Sequence, residues 1–228
     1  QTGTGQSMYR VAYYSDINLG GTANLWDILA NEGTQVQKFV IASSRSIYGE
    51  GTYWCDNHGA KIVAEPRTKV QLDAGQWEPL CPVCGSIVQA IATPETSYPN
   101  PASLYACTKL GQEQMSLTMG NALGIPTVAL RFQNVYGPGQ SLRNPYTGII
   151  SIFSNQLRQN LPIDIFEDGN ETRDFVFVED VAAACEVAIT LEQRTATLNV
   201  GSGGATRVLD LAFMLKELWQ SQSSITVT

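Results

Sequence analysis

The chain has 228 residues, of which 43% are hydrophobic and 15% are charged, and its formal net charge is -7. These proportions exclude intrinsic disorder, and the acidic balance disfavours binding to the phosphate backbone of nucleic acids. The sequence has no run of about 20 apolar residues, which a membrane helix needs, and no signal peptide at its start. Five cysteines, an odd number, do not indicate a secreted disulfide framework. We therefore expect a cytoplasmic globular protein that binds neither membranes nor nucleic acid.

Hydrophobic periodicity predicts helices and strands that alternate along most of the chain. The predicted helices cover 16–31, 105–123, 149–161, 179–191 and 208–219. The predicted strands cover 38–42, 127–132, 163–166, 175–178 and 197–200, and a further strand begins at 225. This alternation favours an α/β fold in which a parallel sheet carries helices on both faces. Residues 50–98 break the alternation, so we expect an insertion with little regular structure there.

Two glycine-rich segments have the spacing of phosphate-binding loops, and we expect neither to bind a pyrophosphate. The first, residues 3–5, has no strand before it and places Met8 where the third glycine belongs. The second, residues 201–203, follows a predicted strand but places Thr206 where close helix–strand packing needs glycine or alanine. The second segment is therefore predicted to be a turn between a strand and a helix.

Tyr105 and Lys109 are four residues apart on a predicted helix, so their side chains share one face. A phenol titrates near 10, and a neighbouring ammonium lowers that pKa, which would allow the phenol to take a proton from an alcohol hydroxyl. The alternative is a half-buried aromatic beside a surface lysine. Ser44 ends a predicted buried strand, and ligands bind at such strand ends in open α/β sheets.

Four segments carry a resemblance to a known family: 39–49, 105–109, 130–139 and 166–180. Together and in this order they resemble the extended short-chain dehydrogenase/reductase family, the NAD-dependent nucleotide-sugar epimerases and dehydratases. The resemblance implies a Rossmann-like, doubly wound sheet and a small C-terminal substrate-binding portion. We accordingly expect 1–135 to be a partial NAD-binding domain that carries the insertion. We expect 136–228 to be a partial substrate-binding region that returns to the sheet in places, and the first βαβ segments of the family to be absent.

The resemblance also implies roles for individual residues. Ser44 would hydrogen-bond the reacting sugar oxygen, Tyr105 would be the acid and base, and Lys109 would hold the nicotinamide ribose and lower the pKa of Tyr105. The other cofactor contacts would be Asn18, Ser43 and Gln133. The nucleotide diphosphate contacts would be Asn134, Arg143 and Arg173. Structural alternatives remain, because Ser44 could cap a turn, Asn18 could cap a helix, and Arg173 could pair with Asp174 or Glu179.

The residues after Ser44 bear on which reaction the resemblance implies. The dehydratases of this family carry an Asp-Glu pair there, and this chain has Arg45 and Ser46. Without those carboxylates elimination of water lacks its acid and base, so we expect a 4-epimerase that forms a transient 4-keto sugar with NAD. The alternatives are an NAD(P)-dependent nucleotide-sugar reductase or dehydrogenase, and a non-catalytic sugar-nucleotide-binding protein. The resemblance further implies a homodimer packed through the Tyr105 helix and the preceding helix, with Leu110, Met115 and Leu117 either at that interface or in the core.

The insertion contains two closely spaced pairs of metal-ligand residues. Cys55 and His58 form a C-x-x-H pair, and Cys81 and Cys84 form a C-x-x-C pair 22 residues further on. This spacing suits a tetrahedral structural zinc site. The alternative is four reduced side chains on a mobile loop. A zinc-ribbon-like insertion at this place resembles bacterial members of the family that act as dTDP-L-rhamnose 4-epimerases.

Overall fold

The computed structural model describes residues 1–33, 35–142, 144, 146, 148–192 and 195–228. The helices of this part are α1 (Thr4–Ser7), α2 (Val11–Ser15), α3 (Gly21–Asn31), α4 (Lys69–Asp73), α5 (Leu104–Leu123), α6 (Ile149–Arg158), α7 (Val178–Thr190) and α8 (Val208–Leu218). The strands are β1 (Phe39–Ser44), β2 (Thr52–Cys55), β3 (Ala60–Val63), β4 (Gln89–Ala90), β5 (Thr127–Phe132), β6 (Asn134–Tyr136), β7 (Ile163–Ile165), β8 (Thr172–Arg173), β9 (Phe175–Phe177), β10 (Thr195–Val200), β11 (Thr206–Arg207) and β12 (Ile225–Val227). The helices that the periodicity predicts are all present. The short strands β6, β8 and β11 were not predicted, because two or three residues are too few to show a period.

A parallel sheet forms the centre of the fold, with β5 between β1 and β10. In its register Ser44 and Val200 both lie beside Phe132. The carboxyl ends of all three strands therefore meet at one edge, which is where parallel sheets bind ligands.

Helices cover both faces of this sheet, and the alternating side chains of β5 show how. Val128 and Leu130 pack with Ala188 of α7 in one apolar cluster. Arg131 points to the other face and pairs with Glu113 of α5. The same helix approaches the sheet so closely at Gly120 that a Cβ there would lie 2.0 Å from Thr127 Oγ1. The predicted α/β fold is thus confirmed, with α5 and α7 on opposite faces.

The first long helix is longer than predicted. It runs from α2 into α3 through a π-helical segment, Asp16–Gly20, so it begins at Val11 and not at 16. It packs on α5, where Trp26 Nε1 donates to Ser116 Oγ at 3.2 Å. Segments of π-helix such as this one are rare and frequently occur near functional sites.

The C-terminal third has an apolar cluster of its own between α6, α8 and β7. Phe153, Leu157, Ile163 and Leu211 are among its buried members. The strand predicted to begin at 225 is β12, and it pairs in parallel with β7. Within the described residues, no helix is long and apolar enough to cross a membrane.

The prediction of little regular structure for residues 50–98 is wrong. Strands β3, β2 and β4 form an antiparallel sheet there, and α4 has a complete capping box between Thr68 and Gln71. This sheet covers a small core of Tyr53, Cys55, Ala64, Cys81 and Val88. The elements are short and separated by turns, so sequence periodicity alone does not reveal them. The aromatic and β-branched run of β2 was the available signal.

Candidate functional site

A cavity of about 1000 Å³ opens at the carboxyl ends of β1 and β5. It extends to the apolar cluster around α6 and α8, so residues from both halves of the chain line it. Its polar lining includes Ser44, Arg45, Tyr105, Gln133, Asn134 and Arg173. A cavity of this size can bury most of a ligand as large as a nucleotide sugar.

Ser44 occupies the last position of β1 and caps the 3₁₀ turn Arg45–Tyr48 that follows. Its Oγ accepts a hydrogen bond from Ser46 N at 3.2 Å and another from Ser46 Oγ at 2.9 Å. The hydroxyl proton of Ser44 is therefore left to donate, and Ser44 lowers the pKa of the Tyr105 phenol, which lines the same cavity. Ser44 therefore caps the turn and also lines the cavity. Ser46, which sequence reasoning did not select, orients the hydroxyl.

Tyr105 lies in the first turn of α5, whose N-cap Ser103 accepts from Ala106 N. The backbone N–H of Tyr105 donates to Ser7 Oγ at 3.0 Å, which joins this turn to α1. Burial raises the pKa of the Tyr105 phenol, while the hydrogen bond from Ser44 and the positive charge of Arg45 lower it. Since burial is the largest of the three influences, the phenol is protonated at neutral pH.

Lys109 lies on the same helix face but does not act on Tyr105 as expected. Its Nζ donates to Gln112 Oε1 at 2.9 Å, and Gln112 Nε2 donates to Thr22 Oγ1 at 2.7 Å. Burial lowers the pKa of Lys109 to about 8. The expectation that Lys109 lowers the pKa of Tyr105 is therefore not met in this structure, because Arg45 is the cation that does so.

Arg45 is a residue of the site that sequence reasoning treated only as a missing carboxylate. Burial lowers the pKa of its guanidinium, as does the nearby Arg173, whereas Glu171 and Glu50 raise it. A cation held in such a place can only stay charged by facing anions or polar groups. Its position directly after Ser44 was the signal that could have identified it.

Arg173 and Asn134 line the cavity next to one another. Arg173 donates from a terminal nitrogen to Glu171 Oε1 at 2.7 Å, so it pairs with neither Asp174 nor Glu179. Its Nε is buried without a hydrogen-bond partner in the described part of the chain. Asn134 Nδ2 donates to the Asp174 carbonyl at 3.0 Å. Arg143, the third candidate for the diphosphate, lies outside the described residues.

The expected cofactor residues do not all face the cavity. Asn18 lies in the π-helical segment, is 4% exposed, and donates to Thr108 Oγ1 at 3.0 Å. Ser43 lines the cavity, but its Oγ donates to Glu113 Oε2 at 2.6 Å. Both side chains are therefore engaged inside the protein. Gln133 lines the cavity, and its backbone N–H donates to the Val200 carbonyl at 2.9 Å.

Three of the four candidate metal ligands converge in the insertion. The Sγ atoms of Cys55, Cys81 and Cys84 lie within 4.8 Å of one another. His58 is exposed, and its imidazole does not belong to this group among the residues described.

Curated relatives are sugar-nucleotide enzymes. The chain is 39% identical over 213 residues to a dTDP-L-rhamnose 4-epimerase of Burkholderia thailandensis, covering 93% of this chain and 57% of that protein. It is 30% identical over 211 residues to a putative UDP-glucose 4-epimerase of Methanocaldococcus jannaschii, covering 92% of this chain and 55% of that protein. The chain thus spans a little over half the length of these relatives.

Solved structures agree on the fold. A UDP-glucose 4-epimerase from Thermotoga maritima, solved with UDP-glucose, superposes on 100% of this chain and 61% of its own length, with a TM-score of 0.78 and 25% identity. The sequence profile of the NAD dependent epimerase/dehydratase family matches residues 82–201, which is more than half of the chain. From the sheet, the motifs and this match it follows that the chain belongs to the NAD-dependent epimerase/dehydratase family.

Proposed function

We propose that the protein is an NAD-dependent 4-epimerase of a nucleotide-diphospho sugar, of the dTDP-L-rhamnose or UDP-hexose type. The observation that carries this proposal is that Ser44, at the end of β1, and Tyr105 line the same large cavity, where Ser44 lowers the pKa of the phenol. Arg45 and Ser46 follow Ser44 where a dehydratase needs carboxylates, which favours epimerisation over loss of water. The names of the curated relatives support the same activity.

The residues present suit a bound dinucleotide at one point in particular. Lys109 Nζ is a buried ammonium whose hydrogen-bond partner among the described residues is the neutral Gln112. Such a cation can hold the hydroxyls of a nicotinamide ribose, and Gln133 lines the cavity at the strand ends. Asn18 and Ser43, whose side chains are engaged elsewhere, would contribute through their backbone or through packing.

The mechanism needs one proton carrier and one reversible hydride acceptor. NAD supplies the acceptor when it is bound. Tyr105, in its phenolate form, takes the proton of the sugar 4-hydroxyl, and Ser44 donates a hydrogen bond to the same oxygen, which keeps it aligned as the carbonyl forms. Tyr105 holds that proton and returns it after the 4-keto sugar has presented its other face. Arg173, whose Nε is free to donate, would hold the diphosphate while the sugar turns.

Incubation of the protein with NAD and a nucleotide sugar tests this function. We expect the two C4 epimers to reach equilibrium, as followed by proton NMR, with no net change in NADH absorbance. Net accumulation of NADH would instead establish a dehydrogenase, and stoichiometric consumption of NADH in a parallel incubation supplied with NADH would establish a reductase. Binding of the sugar nucleotide without any turnover would establish a binding protein.

Replacing Arg45 by Gln is expected to shift the pH dependence of the reaction. Arg45 lowers the pKa of Tyr105, so its loss should raise that pKa. Because the phenolate is the base, kcat rises with pH through this pKa, and the rising limb should move to higher pH. We expect a fall in kcat at neutral pH that is partly recovered in alkaline buffer.

The matched control for this variant is Arg158→Gln, since Arg158 is exposed at the end of α6. Its pH profile should equal that of the unaltered protein. A profile of Arg45→Gln that falls uniformly at all pH values would assign Arg45 to substrate binding alone.

Three further features belong to the same proposal. Residues 1–135 would form part of the NAD-binding domain and 136–228 part of the substrate-binding region. A homodimer would use α3 and α5, where Leu25 and Ile28 are exposed by 53% and 43% and Leu110 is half-buried. The five cysteines are all free, which suits the reducing cytoplasm.

A further inference from the structure

We propose that the insertion is held together by a structural zinc ion bound by Cys55, Cys81, Cys84 and His58. Three thiol sulfurs already converge there, and the Sγ atoms of Cys55 and Cys84 are 3.5 Å apart. In a tetrahedral site with Zn–S bonds of about 2.3 Å, neighbouring sulfurs are roughly 3.8 Å apart. The cluster therefore has nearly the spacing that zinc requires.

The two ligand pairs lie on turns of the same geometry. The carbonyl of Cys55 accepts from Gly59 N at 2.8 Å, and the carbonyl of Cys81 accepts from Gly85 N at 2.8 Å. The two glycines have φ of +64° and +72°, a region that side chains rarely adopt. Each turn thus reverses the chain immediately after a C-x-x-ligand pair.

Each turn also closes a short antiparallel hairpin. Cys55 is paired with Ala60 at the end of the β2–β3 ladder. In the second turn, Cys81 N donates to the Ser86 carbonyl at 2.8 Å. In both turns the cysteine is thus paired with the residue five positions after it. His58 therefore has the same place in the first turn as Cys84 has in the second. We propose that rotation of the His58 side chain from the surface brings the imidazole to the fourth coordination position of the tetrahedral zinc.

Contacts between the turns hold them in place for a shared ion. Asn57 lies in the first turn, and Ser86 directly follows the second turn. Asn57 Nδ2 donates to Ser86 Oγ at 2.7 Å. Binding of zinc would release the three thiol protons to solvent.

The small size of the insertion core explains why a metal is needed. Two of its five buried apolar residues, Cys55 and Cys81, are proposed ligands. A core of this size does not stabilise a domain without a metal or a disulfide. The insertion also contacts the rest of the protein, since Arg67 pairs with Glu167 at 2.7 Å. Phe166, the neighbour of Glu167, lines the cavity, so the metal would steady one wall of it.

Elemental analysis of the protein purified in reducing buffer without chelator tests the proposal. We expect about one zinc per chain, as for a structural site of this ligand type, and loss of that zinc in Cys81→Ser. Matched controls are Cys107→Ser and Cys185→Ser, whose thiols lie on α5 and α7 and should leave the zinc content unchanged. Absence of zinc after purification and after reconstitution, or a Cys55–Cys84 disulfide in its place, would overturn the proposal.

Replacement of zinc by cobalt keeps the test decisive if Cys81→Ser does not fold. The visible spectrum should be that of a tetrahedral cobalt site with three thiolates and one imidazole. His58→Cys should retain the metal and give the spectrum of a four-thiolate site, and His58→Ala should weaken binding. A spectrum that is the same in all three proteins would exclude His58 as the fourth ligand.

Discussion

Tyr105→Phe is expected to lower kcat by about 10²–10⁴-fold, the usual contribution of a positioned acid and base, with little change in the Kd for the nucleotide sugar. The substitution removes the hydroxyl whose pKa Ser44 and Arg45 lower, and it leaves the ring packed where it is. The proton of the substrate hydroxyl then has no acceptor, because the nearest other hydroxyl, that of Ser44, is a donor in this geometry. Epimer interconversion by NMR gives kcat, and calorimetry gives Kd.

Tyr98→Phe is the matched control, because the Tyr98 side chain is 81% exposed and lies outside the cavity lining described above. It should leave both constants unchanged. If Tyr105→Phe kept its turnover, Tyr105 would have no part in the chemistry and the proposed mechanism would fail. If it lost affinity and turnover equally, its role would be to bind the sugar.

Glu113→Ala is expected to lower the free energy of unfolding by about 3–5 kcal/mol, the cost of leaving a buried charge without its partner. Arg131 donates to both carboxylate oxygens of Glu113, at 3.1 Å and 2.6 Å, and the two side chains are 7% and 3% exposed. Ser43 Oγ also loses its acceptor. Urea denaturation followed by circular dichroism measures the difference.

Two comparisons make this prediction specific. Glu186→Ala on the exposed face of α7 should change the free energy of unfolding by much less. The double variant Glu113→Leu, Arg131→Met should be more stable than Glu113→Ala, because neither charge then remains buried. If Glu113→Ala lowered the free energy of unfolding no more than Glu186→Ala does, water would have to reach Arg131.

Local patterns in the sequence were sufficient for the central fold. The continuous apolar run of β5 indicates a buried strand. The Pro99–Pro101 turn before α5 and Gly124 and Pro126 after it mark the ends of that helix. In the insertion the comparable signal is the aromatic and β-branched run of β2. Its strands are short, and their order depends on contacts between β2 and β4, which are distant in sequence.

The sequence motifs predicted which residues belong to the site. They did not predict the pKa values of those residues, because these depend on burial. The resemblance placed Ser44 and Tyr105 in one site, and they do meet in the structure. The direction of the pKa shift of Tyr105 depends on how deeply the ring is buried and on which cation lies nearest. Neither follows from the spacing of Tyr105 and Lys109, because Lys109 turns towards Gln112.

Asp174 hydrogen-bonds both the loop after β10 and Asn134 in the wall of the cavity. Its carboxylate accepts from Ser202 N, Ser202 Oγ and Gly203 N at 2.9, 2.7 and 3.0 Å, and its carbonyl accepts from both nitrogens of Asn134 at 3.0 Å. The Ser202 and Gly203 amides of the glycine-rich turn are thus bonded to an internal anion and are not available to an external phosphate. A ligand that displaced the Asn134 side chain would remove a hydrogen bond from Asp174, the residue that fixes the turn.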